Sequence, residues 1–178
     1  MKGRTNITIL RFIQIGIACI PIFIGLFVFI NGITNFTIQV SSVVVPLITM
    51  EHFSEQSWRA LPASFGSAIY SLVLIAQILV AVFAMIGVIK LLFALKKDGK
   101  DFDHAKIWTY IACGWGIMLW GLVFFEVGGD WFMSNVNTFQ VGSLSYVLMF
   151  YITFAFLSLS IDHHSTNNSQ SKTRRYND

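Results

Sequence analysis

The sequence predicts an all-α membrane protein: a four-transmembrane-helix bundle, both termini in the cytoplasm, with a long, partly helical first extracytoplasmic loop. Three observations predict it. The 178 residues are 55% hydrophobic and only 12% charged, more apolar surface than a soluble globule of this length can hide. The charges collect in the first eleven residues, between Glu51 and Arg59, between Lys96 and Lys106 and in the tail, leaving nearly uncharged stretches between them. The basic residues also fall almost entirely on one side of those stretches.

A helix rises about 1.5 Å per residue and the hydrocarbon core is about 30 Å thick, so a crossing needs roughly 20 apolar residues. Segments at about 12–30, 69–89, 107–127 and 141–161 qualify. Each must be helical, because lipid offers backbone N–H and C=O groups no partner. The first contains Gln14 and Pro21, and the proline is expected to kink it and free a carbonyl. Its apolar stretch runs well past Cys19, with no Leu three residues before that cysteine, so a retained helix accounts for it better than a cleaved signal. The second span is expected to continue beyond the bilayer through Leu95. Residues 1–162 thus make a single four-helix domain, and 163–178, rich in Ser, Thr, Asn and Lys, are expected to form a disordered cytoplasmic tail.

Orientation follows from the basic residues. Lys2, Arg4 and Arg11, then Lys90, Lys96, Lys97, Lys100 and Lys106, then Lys172, Arg174 and Arg175 lie on one side, eleven of the 12 in the chain. Arg59 stands alone on the other, with Glu51, Glu55, Glu126 and Asp130. The positive side is cytoplasmic, which predicts a multi-pass protein of the inner (plasma) membrane. Outside remain a long loop, roughly 31–64, and a short one from Gly128 to about Gln140. Within the first, Val40 to Met50 is apolar enough to lie along the interface or against the bundle, and Pro46 argues against one unbroken helix.

Several function classes are excluded or disfavoured. A net charge of +3, with basic residues beside apolar runs, is not a nucleic-acid surface. Cys19 and Cys113 sit inside apolar runs and read as lipid-buried thiols, not a disulfide. There is no nucleophile elbow, glycine-rich phosphate loop, HExxH or paired CxxC, so neither an enzyme nor a cofactor is expected. No ionisable residue sits near a span centre, which argues against a proton pump or ion-coupled carrier.

The residues left to carry function lie at the outer ends. Phe124 to Phe132 places two carboxylates, Glu126 and Asp130, around Gly128 and Gly129, followed by Trp131. One reading is a site for a cation, a proton or a basic ligand. The other is a helix end and turn with Trp131 and Phe132 as interfacial anchors. Trp58 and Arg59 form the second outer cluster, and Arg59 is expected to pair with Glu126 or Asp130 and close the first loop over the bundle, a substrate-anion clamp being the alternative. Glu51, His52 and Glu55, and the pair His163–His164, are weak metal patterns, so no metal site is expected. Within the membrane, Gln14 and Gln77 are expected to be interhelical hydrogen-bond partners, worth about 0.6–2 kcal/mol. Ala112 and Gly116 have small-xxx-small spacing, and with Gly114 and Gly121 they point to a central third helix.

Ile33-Thr34-Asn35-Phe36, Met50 followed by an acidic residue, Trp58-Arg59-Ala60, Phe102-Asp103-His104-Ala105-Lys106 and above all Gly128-Gly129-Asp130-Trp131-Phe132 resemble a bacterial family of predicted small integral membrane proteins, the domain of unknown function 2165. The resemblance covers about Asn31 to Asp162. Pro46, where the family is expected to carry His, and Met133-Ser134-Asn135-Val136, in place of a stretch with Trp and Gln, depart from it. It implies a four-helix membrane protein and no established activity, and it directs attention to the outer face.

The expected function is a non-enzymatic subunit or scaffold of a membrane assembly, using its outer loops for recognition. Its expected partners are the lipid bilayer and a membrane protein or a second copy of itself. The alternative is a small-molecule transporter or channel subunit, with Arg59, Glu126 and Asp130 around a polar outer vestibule.

Overall fold

The computed structural model describes residues 2–134 and 141–160; the tail expected from 163 onward, with its His pair, and the last part of the second outer loop lie outside the described residues. Among the described residues every regular element is helical. Helix α1 (Lys2–Ala18) and α2 (Ile20–Thr34) follow one another with a single-residue break at Cys19. Proline has no N–H and its ring clashes with the carbonyl four residues back, so the helix must restart just before Pro21, where the first N–H groups need no partner. The Cys19 N–H bridges the break, donating to both Ile15 and Gly16 carbonyls at 3.2 Å.

Helix α3 (Phe36–Ile48) lies in the connection between the first and second long helices. It changes from an α turn to a π turn at Val40–Val44 and back at Val45–Ile48, so that Pro46 again stands at the opening of an α turn. It ends in a Schellman closure, the Glu51 N–H donating to the Pro46 carbonyl at 3.1 Å, with Met50 left-handed at φ 55°. Two 3₁₀ turns, Ser54–Arg59 and Ala63–Phe65, lead into α4 (Gly66–Ala94). On the opposite side α5 (Gly99–Ala105) is capped by Asp98, whose Oδ1 accepts the Asp101 N–H at 2.9 Å. Helix α6 (Ile107–Ile117) runs without a break into a π segment, Met118–Trp131, and α7 (Val141–Ser160) closes the bundle.

Three helical stretches are long and apolar enough to cross a membrane: Ile7–Thr34, Ala63–Ala94 and Gly99–Trp131. Phe36–Ile48 and Ser145–Ser160 are shorter apolar helices. The long helices pack as a ring: α1 and α2 against α4, α4 against α6, α6 and its π segment against α7, and α7 back against α1 and α2. The third helix is therefore one stave of four, not the hub expected from its glycines, because small residues sit at other seams as well. A methyl group added at Gly25 would lie 2.8 Å from the Gln77 main-chain oxygen and 2.9 Å from the Ala81 nitrogen. One added at Gly87 would lie 2.7 Å from the Thr109 nitrogen and overlap its hydroxyl. Gly116 does meet α7, through Ile152, whereas Gly114 has nothing within 4 Å.

Among the described residues three buried clusters make up the interior. Trp120, Val80, Cys113 and Ile152 are almost wholly buried at mid-bundle; Leu91, Ala18, Phe102 and Leu159 are buried below them, and Ile48, Met50 and Phe132 above. Gln14 and Gln77 are both buried, but they are not partners. Gly25 faces Gln77 while Arg11 reaches Leu95 and Lys97, an antiparallel register that separates the two glutamines by roughly 20 Å along the axis.

The last carbonyls of a helix have no intrahelical acceptor role to fill and carry partial negative charge. Here each long helix has a C-terminal carbonyl taken by a side chain from a neighbouring segment. Tyr70 Oη donates to Gly32 O (3.4 Å), Arg11 Nη1 to Leu95 O and Lys97 O (2.8 and 2.7 Å), Arg59 Nη1 to Asp130 O and Trp131 O (3.5 and 3.3 Å), and Tyr110 Oη to Leu159 O (2.8 Å).

Met50 and Met133 are the two non-glycine residues with positive φ among the described residues, at 55° and 56°, and both belong to the outer cluster. A left-handed L-residue costs about 1–2 kcal/mol, which glycine removes. Met50 is 2% exposed, so Met50→Gly also loses a packed side chain and is expected to lower stability by about 2 kcal/mol. Met133 is only half-buried, and Met133→Gly is expected to change stability by less than about 1 kcal/mol. Thermal unfolding in detergent distinguishes the two; equal losses would mean that the backbone angle, not the buried thioether, dominates at both.

Candidate functional site

The π segment builds one wall of the site. Its buried positions, Leu119 and Trp120, then Gly128 and Gly129, with half-buried Phe124 between, recur every four to five residues, a wider repeat than the 3.6 of an α-helix. Glu126, Val127, Asp130 and Trp131 are consequently exposed on the other face. Gly128 and Gly129 keep right-handed backbones within the helix, so the sequence expectation of a loop starting at Gly128 is corrected. The chain turns four to five residues later, at Phe132 and left-handed Met133. The turn is closed by Phe132 N–H to Val127 O and Ser134 N–H to Gly128 O, each 3.1 Å. Both glycines are buried, and a methyl group added at Gly128 would meet only the Val123 carbonyl oxygen of the same segment, at 3.5 Å.

The second wall comes from the connection between the first and second long helices. Ser54–Arg59 ends with Trp58 and Arg59, and the loop is tied down where the Leu61 N–H donates to Ile48 O at 2.7 Å. Arg59 lies against two indoles, its guanidinium carbon 4.8 Å from the Trp58 ring centre and 5.5 Å from that of Trp131. The rings themselves meet edge to face at 5.9 Å. Such stacking contributes about 0.5–1 kcal/mol per ring at an exposed site. The contact expected with Asp130 runs to its main-chain oxygen, and a second goes to that of Trp131. Arg59 Nε is buried with no hydrogen-bond partner.

Between the walls is an open groove of about 720 Å³ lined by Arg59, Leu61, Glu126, Val127, Asp130, Trp131 and Phe132. The structure thus brings Arg59, Glu126, Asp130 and Trp131 to one surface, with Trp58 stacked behind Arg59 and Gly128 and Gly129 beneath. Glu51, His52 and Glu55 belong to the same connection, but among the described residues no group of three His, Cys, Asp or Glu side chains is placed to hold a metal ion. Gln14 and Gln77 lie away from the groove, and the Gln77 Oε1 is buried without a hydrogen-bond partner.

The opposite end holds a cluster that sequence reasoning did not assemble. Phe102, 2% exposed, lies under the Arg11 guanidinium at 4.7 Å and near Lys106 Nζ at 5.6 Å, while Lys106, itself buried, pairs with Asp103 at 2.7 Å. The Phe-Asp-x-x-Lys spacing was visible on the sequence, but its partner Arg11 lies some ninety residues earlier, and nothing local connects them.

The model of the family described as predicted small integral membrane protein (DUF2165) matches residues 10–160. No curated protein and no solved structure matches the chain.

Proposed function

We propose, from the premise that this chain belongs to the DUF2165 family of small integral membrane proteins, that it is a four-span, non-enzymatic scaffold or subunit of a membrane assembly whose recognition surface is the outer groove. The carrying observation is the contrast between a filled interior and an open outer end. Trp120, Val80, Cys113 and Ile152 occupy mid-bundle, and the buried ion pair Lys106–Asp103 lies at the far end from Arg59. A carrier or pump of this size needs ionisable groups or a polar path along its spans, and the packed side chains here support neither. Two exposed indoles around an arginine are the residue types that anchor recognition surfaces.

Helix α7 supplies the fourth crossing in this reading. Its 20 residues extend about 30 Å and complete the ring between α6 and α1. Both termini are cytoplasmic, in keeping with Arg11, Lys97 and Lys106 at one end and Arg59 at the other. Exposed Ser57 and Lys100 test the orientation. Ser57→Cys is expected to react with a membrane-impermeant maleimide in intact cells and Lys100→Cys only after permeabilisation; the opposite pattern inverts the topology.

Recognition is tested by extracting the tagged protein from its native membrane into nanodiscs and identifying what accompanies it by mass spectrometry. A stoichiometric membrane protein that is lost when Trp58 and Trp131 are replaced by Ala is the expected result. A homo-oligomer with no partner and a polar central axis would replace this reading with that of a channel subunit.

A further inference from the structure

We propose that the exposed flank of the α4–α6 seam binds an anionic glycerophospholipid, with its phosphate on the Lys90 ammonium and an acyl chain along Phe83, Trp108 and Trp115. The inference needs α4 and α6 to cross the membrane, as read above, and is independent of what the groove at the other end recognises. On α4, Ala76, Phe83 and Lys90 recur every seven residues and so share one face of the helix. On α6, Trp108 and Trp115 have the same spacing and meet that face in antiparallel register. Trp115 Nε1 donates to Ala76 O at 3.0 Å, the Trp108 ring centre stands 6.0 Å from that of Phe83, and Lys90 Nζ lies 5.1 Å from the Trp108 ring centre. The seam itself is shut, since Gly87 packs directly on Thr109.

The result is a surface stripe with an apolar floor and one charge at its end. Lys90 is the only charged residue between Ala63 and Ala94, and it is exposed. The Trp108 ring takes its ammonium from one side, and an ammonium has three N–H donors to give. No acidic residue lies on α4 or α6 to compete for them or to receive the amine of a zwitterionic head group. The acidic residues that follow α4 are committed elsewhere: Asp98 caps α5 by accepting the Asp101 N–H, and Asp103 pairs with Lys106. A net anion is therefore the matching charge. From Ala76 to Lys90 the stripe runs about 21 Å along the helix, more than the roughly 15 Å that the chains of one leaflet fill. Trp115, 43% exposed with its one donor satisfied, offers such a chain only ring surface. Lys90 stands one turn before the end of α4, a depth from which a lysine reaches the head groups. A free phosphate in water would use Lys90 and leave the stripe uncovered, whereas a lipid uses both.

The test reconstitutes the full chain with equal amounts of phosphatidylglycerol and phosphatidylcholine and counts the lipid retained by native mass spectrometry. Phosphatidylglycerol is expected to be retained about five-fold over phosphatidylcholine, the ratio one lysine at a membrane surface supplies. Lys90→Gln, at an exposed position, is expected to remove most of that preference and Lys90→Arg to keep it. Lys100→Gln removes another exposed charge, on α5, and is expected to change the ratio by less than about two-fold. Equal losses in Lys90→Gln and Lys100→Gln overturn the proposal, because the attraction is then the diffuse field of the basic end. Equal retention of the two lipids overturns it as well. Inorganic phosphate in excess is expected to leave the retained lipid in place; displacement would mean that Lys90 reads a phosphate alone, and the lipid assignment falls. The capture experiment above reads the opposite end, so either reading can fail without the other.

Discussion

Gly25→Ala and Gly87→Ala are each expected to lower the unfolding free energy by about 2–3 kcal/mol, whereas Gly114→Ala is expected to leave it unchanged or raise it by up to about 1 kcal/mol. All three lie inside helices, where alanine is intrinsically the better residue, so propensity alone predicts the same sign at each. Space separates them. At Gly25 the added carbon meets main-chain atoms of Gln77 and Ala81 below 3 Å, and at Gly87 it meets the main chain and hydroxyl of Thr109. Backbone in the middle of a packed helix cannot swing aside as a flexible side chain does, so α2 and α4, or α4 and α6, must separate and lose contact along the seam. Gly114 faces open space and has only propensity to gain. Reversible unfolding in mixed micelles measures the three differences, and a common sign would mean that the seams are looser than their geometry.

Arg11→Met is expected to cost about 2–4 kcal/mol. The guanidinium makes two short hydrogen bonds to carbonyls at the end of α4 and stacks on the buried ring of Phe102. Methionine keeps much of the aliphatic bulk and abandons Leu95 O and Lys97 O beside the negative end of the helix. Arg11→Lys should recover part of the loss, since one ammonium approaches the carbonyls but lacks the planar fork and stacks less well. Hydrogen exchange gives the local readout: amides in the last turn of α4 and in α5 should lose protection in Arg11→Met, while those around Trp120 change only through global unfolding. Uniform loss of protection would make Arg11 a general stabiliser instead of a local tie.

Much of the architecture was readable because bilayer physics writes itself into long apolar runs. The stretches about 12–30, 69–89 and 107–127 fall within the three long helices, and the break near Pro21 follows from one missing N–H. What escaped were features that need the third dimension. Gln14 and Gln77 looked like partners because both are lone amides in apolar helices, and only the antiparallel register shows them roughly 20 Å apart. Gly114 and Gly116 are two residues apart yet point to opposite surroundings, which composition cannot distinguish. The groove residues Arg59, Glu126, Asp130 and Trp131 were nameable, because charge beside tryptophan at a span end is conspicuous. The route of the arginine was not: a salt bridge is the default expectation for opposite charges, and the described contacts run to main-chain oxygens at a helix end. The π segment was hidden as well, since a repeat of four to five residues in an almost wholly apolar run leaves little contrast to read.

The ties at the helix ends also set a sequence of events during synthesis. Tyr70 finds the Gly32 carbonyl as soon as the second long helix forms, but Arg11 must wait for Leu95 and Lys97 to be made, Arg59 for Asp130 and Trp131, and Tyr110 for Leu159. Each newly inserted helix is thus secured by a donor on, or just ahead of, a segment already made, or, in the case of Tyr70, brings the donor to an acceptor already in place. The second long helix completes two of these ties and the third and fourth one each, so a chain ended after Trp131 would already hold three of the four.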